Sequence, residues 1–165
     1  METEICKMRE NVREDYRVLW SAEATIEIPC GKPIMQRFYQ TLCESLRIWA
    51  REEGARSRAA YLALTDTRDK ARFRAGRMRV TGQASVLPNG CIRVLTTLAA
   101  VLPDGTRTER ICEQVWDPSG EYLLLPKELR NNPKREEEKK TGRLRHFVKT
   151  FSKTEKKRGK DLKLR

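Results

Sequence analysis

The 165-residue chain has a single histidine, His146, and its five cysteines include no C-x-x-C pair. A zinc site would therefore need Cys6, Cys30, Cys43, Cys91 and Cys112 gathered from distant segments. Reduced, mostly buried thiols are the simple expectation. Long apolar runs are missing too. No stretch approaches the ~18 apolar residues that cross a bilayer, and the first residues lack both the basic start and the apolar core of a secretory signal. A cytoplasmic location is expected. No Walker loop, G-x-S-x-G, H-E-x-x-H or dinucleotide fingerprint occurs. His146 lies beside Arg143 and Arg145, a poor setting for a neutral general base. Asp66 and Asp69 read as loop or helix-cap residues rather than metal ligands. The chain is accordingly expected not to be an enzyme, with no catalytic residue, no cofactor and no metal.

What is present is charge, unevenly placed. Residues 127–165 hold 16 Lys and Arg against 6 Asp and Glu, whereas residues 1–126 hold 19 against 17. A nearly neutral domain thus carries a cationic extension. The expected organisation is an N-terminal segment over 1–16, an α+β domain over 17–130 and a basic tail over 131–165.

Residues 1–15 are polar with one weak helical stripe (Ile5, Met8, Val12), which predicts a short helix or a frayed end. Val18, Trp20, Ala22, Ala24, Ile26 and Ile28 then alternate with mostly polar residues, the period of a half-buried strand. Pro33 suits the first turn of a helix. Met35, Phe38, Leu42, Leu46 and Trp49 supply its apolar stripe, and Gly54 is placed to end it. A second helical piece is predicted over about 55–64.

Pro88, Pro103 and Pro118, fifteen residues apart, each open a Pro-x-Gly triplet. Proline presets φ for a turn and glycine accepts the left-handed conformation that closes a hairpin loop. Three such loops predict an antiparallel β-meander of four strands, beginning near residue 73, packed on the long amphipathic helix. The register follows from the loops: Val86 opposite Ile92, Ala84 opposite Val94, Gly82 opposite Thr96, Val80 opposite Leu98, and Thr96 opposite Cys112. The last loop predicts Asp117 opposite Glu121 and Val115 opposite Leu123.

A strand, a helix starting near Pro33 with Phe38-Tyr39, and strands ending in Trp116-Asp117-Pro118-Ser119-Gly120 before Tyr122-Leu123-Leu124-Leu125 form a known order. Over residues 25–129 the chain resembles the C-terminal sensor domain of lysozyme-responsive anti-sigma factors, a domain also found beside bacterial polysaccharide deacetylases. The resemblance implies a helix on an antiparallel sheet and a binding, regulatory role rather than catalysis. Members usually follow a membrane segment or export signal and carry a Gly-rich central hairpin, where residues 98–102 here read Leu-Ala-Ala-Val-Leu. No ligand-binding residue of the family maps onto this sequence.

Two basic features remain. Arg47, Arg51, Arg56 and Arg58 lie along and after the helix, and Arg68, Arg72, Arg74, Arg77 and Arg79 lead into the meander. A solvated face is the simple reading; a surface for anions or nucleic acid is the alternative, since Arg suits bidentate phosphate contact. The tail is the stronger functional candidate. Arg143, Arg145, Lys149, Lys153, Lys156, Lys157, Arg158 and Lys160 surround an apolar helical stripe of Leu144, Phe147, Val148 and Phe151. Such a segment suits nucleic acid or another polyanion, an acidic protein partner or an anionic membrane surface, or it docks on its own domain. The expected function is a non-catalytic binding module with electrostatic attachment, or alternatively a nucleic-acid-binding protein that uses the tail and the Arg-rich face together.

Overall fold

The computed structural model of the chain describes residues 1–124. Its polar N-terminus is a strand, neither helix nor frayed end: β1 (Thr3–Glu14) pairs antiparallel with β2 (Arg17–Pro29) along its whole length. Cys6 and Met8 face the core, while Lys7 and Arg9 face solvent. The helical stripe expected from Ile5, Met8 and Val12 fails because Ile5 points outward, and β2 holds the backbone extended.

After β2 the chain crosses over through α1 (Pro33–Leu62) and α2 (Thr67–Arg72), then forms β3 (Gly76–Val86). β3 pairs parallel with β2, and β4 (Ile92–Val101), β5 (Arg107–Trp116) and β6 (Leu123–Leu124) follow as an antiparallel meander. One sheet of six strands in sequence order results, with α1 on its inner face. The fold is α+β, a meander on one long helix. The β2–β3 join explains the helix: parallel neighbours need a crossover, and α1 is about 45 Å long at ~1.5 Å per residue.

The meander registers match the expectation through β5, with Val86 opposite Ile92 and Thr96 opposite Cys112. Gly90, Gly105 and Gly120 all take positive φ, as their loops require. The last turn differs by one residue: Trp116 pairs with Leu123 and Val115 with Leu124. Its loop is longer than expected because the Asp117 carboxylate accepts from the backbone N–H groups of Glu121 and Tyr122 and from the Ser119 hydroxyl. Burial opposes the charge there, but these donors outweigh it and hold the Asp117 carboxyl below its ordinary value. A one-residue slip exchanges the faces of a strand. The observed one buries Leu123 beside Trp116.

The helix also departs from expectation. Its buried stripe runs Met35, Tyr39, Leu42, Cys43, Leu46, Ala50, Gly54, Ser57 and Tyr61, with Phe38 and Trp49 on its flank. Gly54 therefore lies mid-helix and does not end it. It is there for closeness: a Cβ at Gly54 would sit 2.7 Å from Val12 Cγ2 and 3.2 Å from Trp20 Cδ1. On the sheet side, a Cβ at Gly76 would meet Trp20 Cε3 at 2.6 Å. The fully buried Trp20 ring is thus held between two glycines, one on α1 and one on β3. Residues 72–75, expected as strand, include the end of α2 and its connection to β3, and Asp66 caps α2 by accepting from the Arg68 N–H at 2.8 Å.

The Trp20 contact predicts a sign that helix propensity would reverse. Alanine favours a helix interior over glycine by ~1 kcal/mol, yet Gly54→Ala is expected to lower stability by about 1–2 kcal/mol through overpacking. Urea unfolding of the two proteins measures it; a more stable alanine variant would contradict the close approach.

Candidate functional site

The residues that carry the resemblance are packed on one another. Phe38 meets Tyr39 and Trp116 edge-on at centroid distances of 4.9 and 5.2 Å. The Tyr39 hydroxyl accepts from Trp116 Nε1 at 3.0 Å and donates to Gln114 Oε1 at 3.4 Å, and Gln114 Nε2 donates to the Cys112 sulfur at 3.3 Å. Burial drives the Tyr39 phenol well above its ordinary range, and pushes the nearby Cys43 thiol up to about 12. Both groups are therefore neutral at physiological pH. The chain of hydrogen bonds from Trp116 through Tyr39 and Gln114 to Cys112 joins α1 to β5. Among the described residues no cluster of His, Cys, Asp and Glu could hold a metal ion.

The arginines divide into two sets. Arg47 and Arg51 reach Glu10 at 3.8 and 3.1 Å, and Arg58 reaches Glu14 at 3.0 Å, so the helix is laced to β1. Arg56 reaches Glu53 on its own helix, Arg79 reaches Glu23 across to β2, and Arg93 reaches Glu113. Apart from the pair to buried Glu53, these pairs are partly or well exposed and contribute only ~0–1 kcal/mol each to stability. Their larger effect is to cancel the field of those arginines. The other set is Arg13, Arg68, Arg72, Arg74 and Arg77, all exposed and without a carboxylate within salt-bridge distance among the described residues. Of the nine arginines singled out along the helix and before the meander, five are paired with carboxylates.

The unneutralised set gathers where the β1–β2 hairpin meets α2. Arg17 Nη1 donates to the Lys70 carbonyl and Nη2 to that of Ala71, which ties the hairpin to the short helix. The Tyr61 hydroxyl donates to Asp15 Oδ2 at 2.9 Å, and its ring lies under Lys70 Nζ and edge-on to Phe73. Nearby carboxylates are mostly occupied: Glu14 by Arg58, Asp15 by Tyr61 and Asp66 by the start of α2.

At the tip, Glu14 pairs with Arg17, leaving a two-residue loop in which Asp15 and Tyr16 have φ of 50° and 62°. Both values belong to a turn that favours Asn-Gly. Tyr16 is wholly exposed, an aromatic held in a left-handed conformation in the midst of cations. Sequence patterns did not single it out, because the hairpin carries no glycine to mark its turn. The tail candidates Arg143, Arg145, Lys149, Lys153, Lys156, Lys157, Arg158 and Lys160, like His146, lie outside the described residues.

Compared with family models, with curated proteins and with solved structures, the chain matches none.

The buried Cys43 thiol gives a pH prediction. Below about pH 8 the Cys43 thiol is protonated whether the chain is folded or not. As pH rises past the ordinary thiol value, the unfolded chain loses that proton while the folded one keeps it until about 12. Stability should therefore fall with pH over that window, by up to ~1.4 kcal/mol per pH unit from this group. Unfolding free energies at a series of alkaline pH values check this; the slope should be shallower in Cys43→Ala, and an equal slope would assign the loss elsewhere.

Proposed function

We propose that this chain is a non-catalytic binding module, akin in role to the anti-sigma sensor domains it resembles, that attaches to an anionic partner. The arginines about α2 and the cationic segment after residue 126 supply the attachment. The observation that carries this reading is the division of the arginines. Five on the helix and on β3 are matched by carboxylates, whereas Arg13, Arg68, Arg72, Arg74 and Arg77 keep their field at one end of the sheet.

The non-catalytic part is supported by the neutral state of the buried phenol and thiol. A cytoplasmic setting is supported by five free cysteines, and among the described residues no helix is long and apolar enough to cross a membrane. Guanidinium groups favour phosphate or sulfate partners, because their planar donors match two oxygens at once.

Polyanion binding of this kind is driven by counterion release and falls steeply with salt. Affinity of the full chain for heparin and for nucleic acid should drop by tenfold or more between ~50 and ~200 mM salt. The double variant Arg72→Glu, Arg74→Glu should weaken binding and flatten the slope of log affinity against log salt by roughly one for each phosphate no longer neutralised. Arg47→Gln should leave both nearly unchanged. Fluorescence anisotropy measures all three. Salt-independent binding, or equal losses from Arg47→Gln and from the double variant, would contradict the reading.

A further inference from the structure

The geometry points to a single-stranded nucleic acid as the partner of the hairpin–α2 junction, with Tyr16 stacking on a base and the surrounding arginines on the phosphates. This rests on the polyanion reading above and adds the class of ligand. A sulfated polysaccharide, a duplex or an anionic membrane would need only the cations. Tyr16 is what those partners leave unexplained.

Three observations meet at that residue. Its ring is fully exposed, with no buried contact to account for an aromatic there. Its backbone has φ of 62°, a left-handed conformation that strains a bulky non-glycine residue, and it follows Asp15 at φ 50°. The tip is nonetheless held firmly: the Asp15 carboxylate accepts from the Tyr61 hydroxyl, and Arg17 caps the carbonyl groups of Lys70 and Ala71. A glycine would relieve the strain at no packing cost. An exposed aromatic in a braced, strained turn is therefore poor for stability and well suited to presenting a flat apolar face to a ligand.

The strand registers and the Arg17 contacts bring exposed Arg13 of β1, opposite Val18, and exposed Arg72, next to Ala71, to this end of the sheet, with Arg74 following and Arg77 opposite Ser21 further along β2. Phe73, half-buried, is edge-on to Tyr61 beneath them. Unpaired bases stack on exposed aromatics while their phosphates follow a cationic track. In a duplex the base faces are already stacked, so Tyr16 has nothing to bind. The arrangement reads no sequence, since any base offers a π-face.

The test uses the full chain and a single-stranded oligonucleotide of about 12 nucleotides, within the ~4–16 nucleotides that one such platform covers. The same sequence as a duplex, heparin, and vesicles containing anionic lipid are the comparison probes. Tyr16→Gly should raise the urea midpoint of unfolding, since glycine accepts the left-handed φ, yet weaken single-strand binding by roughly tenfold (about 1.4 kcal/mol). Tyr16→Phe should keep that binding within about twofold, because the ring does the stacking. Neither variant should alter affinity for the duplex or heparin. Unchanged single-strand affinity in Tyr16→Gly, or equal losses on every probe, would overturn the stacking site. In that event a weakening on every probe from Arg72→Glu, Arg74→Glu would still leave the polyanion reading standing. A parent chain that binds vesicles but no oligonucleotide would overturn the nucleic-acid assignment, and one that binds none of the probes would overturn both.

Discussion

Trp20 lies wholly buried between Gly54 of the helix and Gly76 of the third strand, with room for no Cβ on either side. Much of the architecture depends on that clamp. It brings α1 down onto β1 and β2, and it seats the start of β3 beside β2 after the crossover. The indole N–H has no hydrogen-bond partner among the described residues, so the ring is held by shape and apolar burial rather than by its polar atom. Past Gly54 the helix runs on to Leu62, and α2 turns back against the tip of the first hairpin, where Arg17 holds the carbonyl groups of Lys70 and Ala71.

Charge placement follows from the same geometry. With α1 lying on β1, the inward glutamates of β1 come within reach of the helix arginines. Beyond Leu62 the chain leaves the shelter of β1, and among the described residues the arginines of α2 and its exit have no carboxylate within salt-bridge distance. Near-neutral composition thus conceals a local excess of positive charge at one end of the sheet. Exposed ion pairs are individually weak, so the lacing matters less for holding the helix than for deciding which cations remain available to a partner.

The meander was legible because its signals were local: the Pro-x-Gly corners at Pro88 and Pro103 fixed the register of β3, β4 and β5 to the residue. Where the deciding contact was distant, the pattern misled. Gly54 carries the mark of a helix terminus, yet its role is set by Trp20 from another element. The Asp117 carboxylate lengthened the last loop by one residue, and Val115 met Leu124 instead of Leu123. β1 was hidden because the turn before β2 is Asp15-Tyr16, with a tyrosine where a glycine usually takes the second left-handed φ. That one omission also obscured the site: without β1 there was no way to see that Glu10 and Glu14 neutralise Arg47, Arg51 and Arg58, nor that Tyr16 stands at a hairpin tip. Phe38, Tyr39 and Trp116 were recognisable as a group, but their meaning is internal. They pack on one another and hold β5 to the helix.

We propose that the junction of the first hairpin with α2 is the surface that meets an anionic partner. Backbone amide chemical shifts, followed as the full chain is titrated with a single-stranded oligonucleotide at low ionic strength, test it most directly. Amides of residues 13–17 and 68–77 should move together and saturate together, while those flanking Arg47 and Arg51 stay in place. Shifts centred on the Tyr39–Gln114–Trp116 network or on the laced face of α1, with the hairpin tip unmoved, would contradict it.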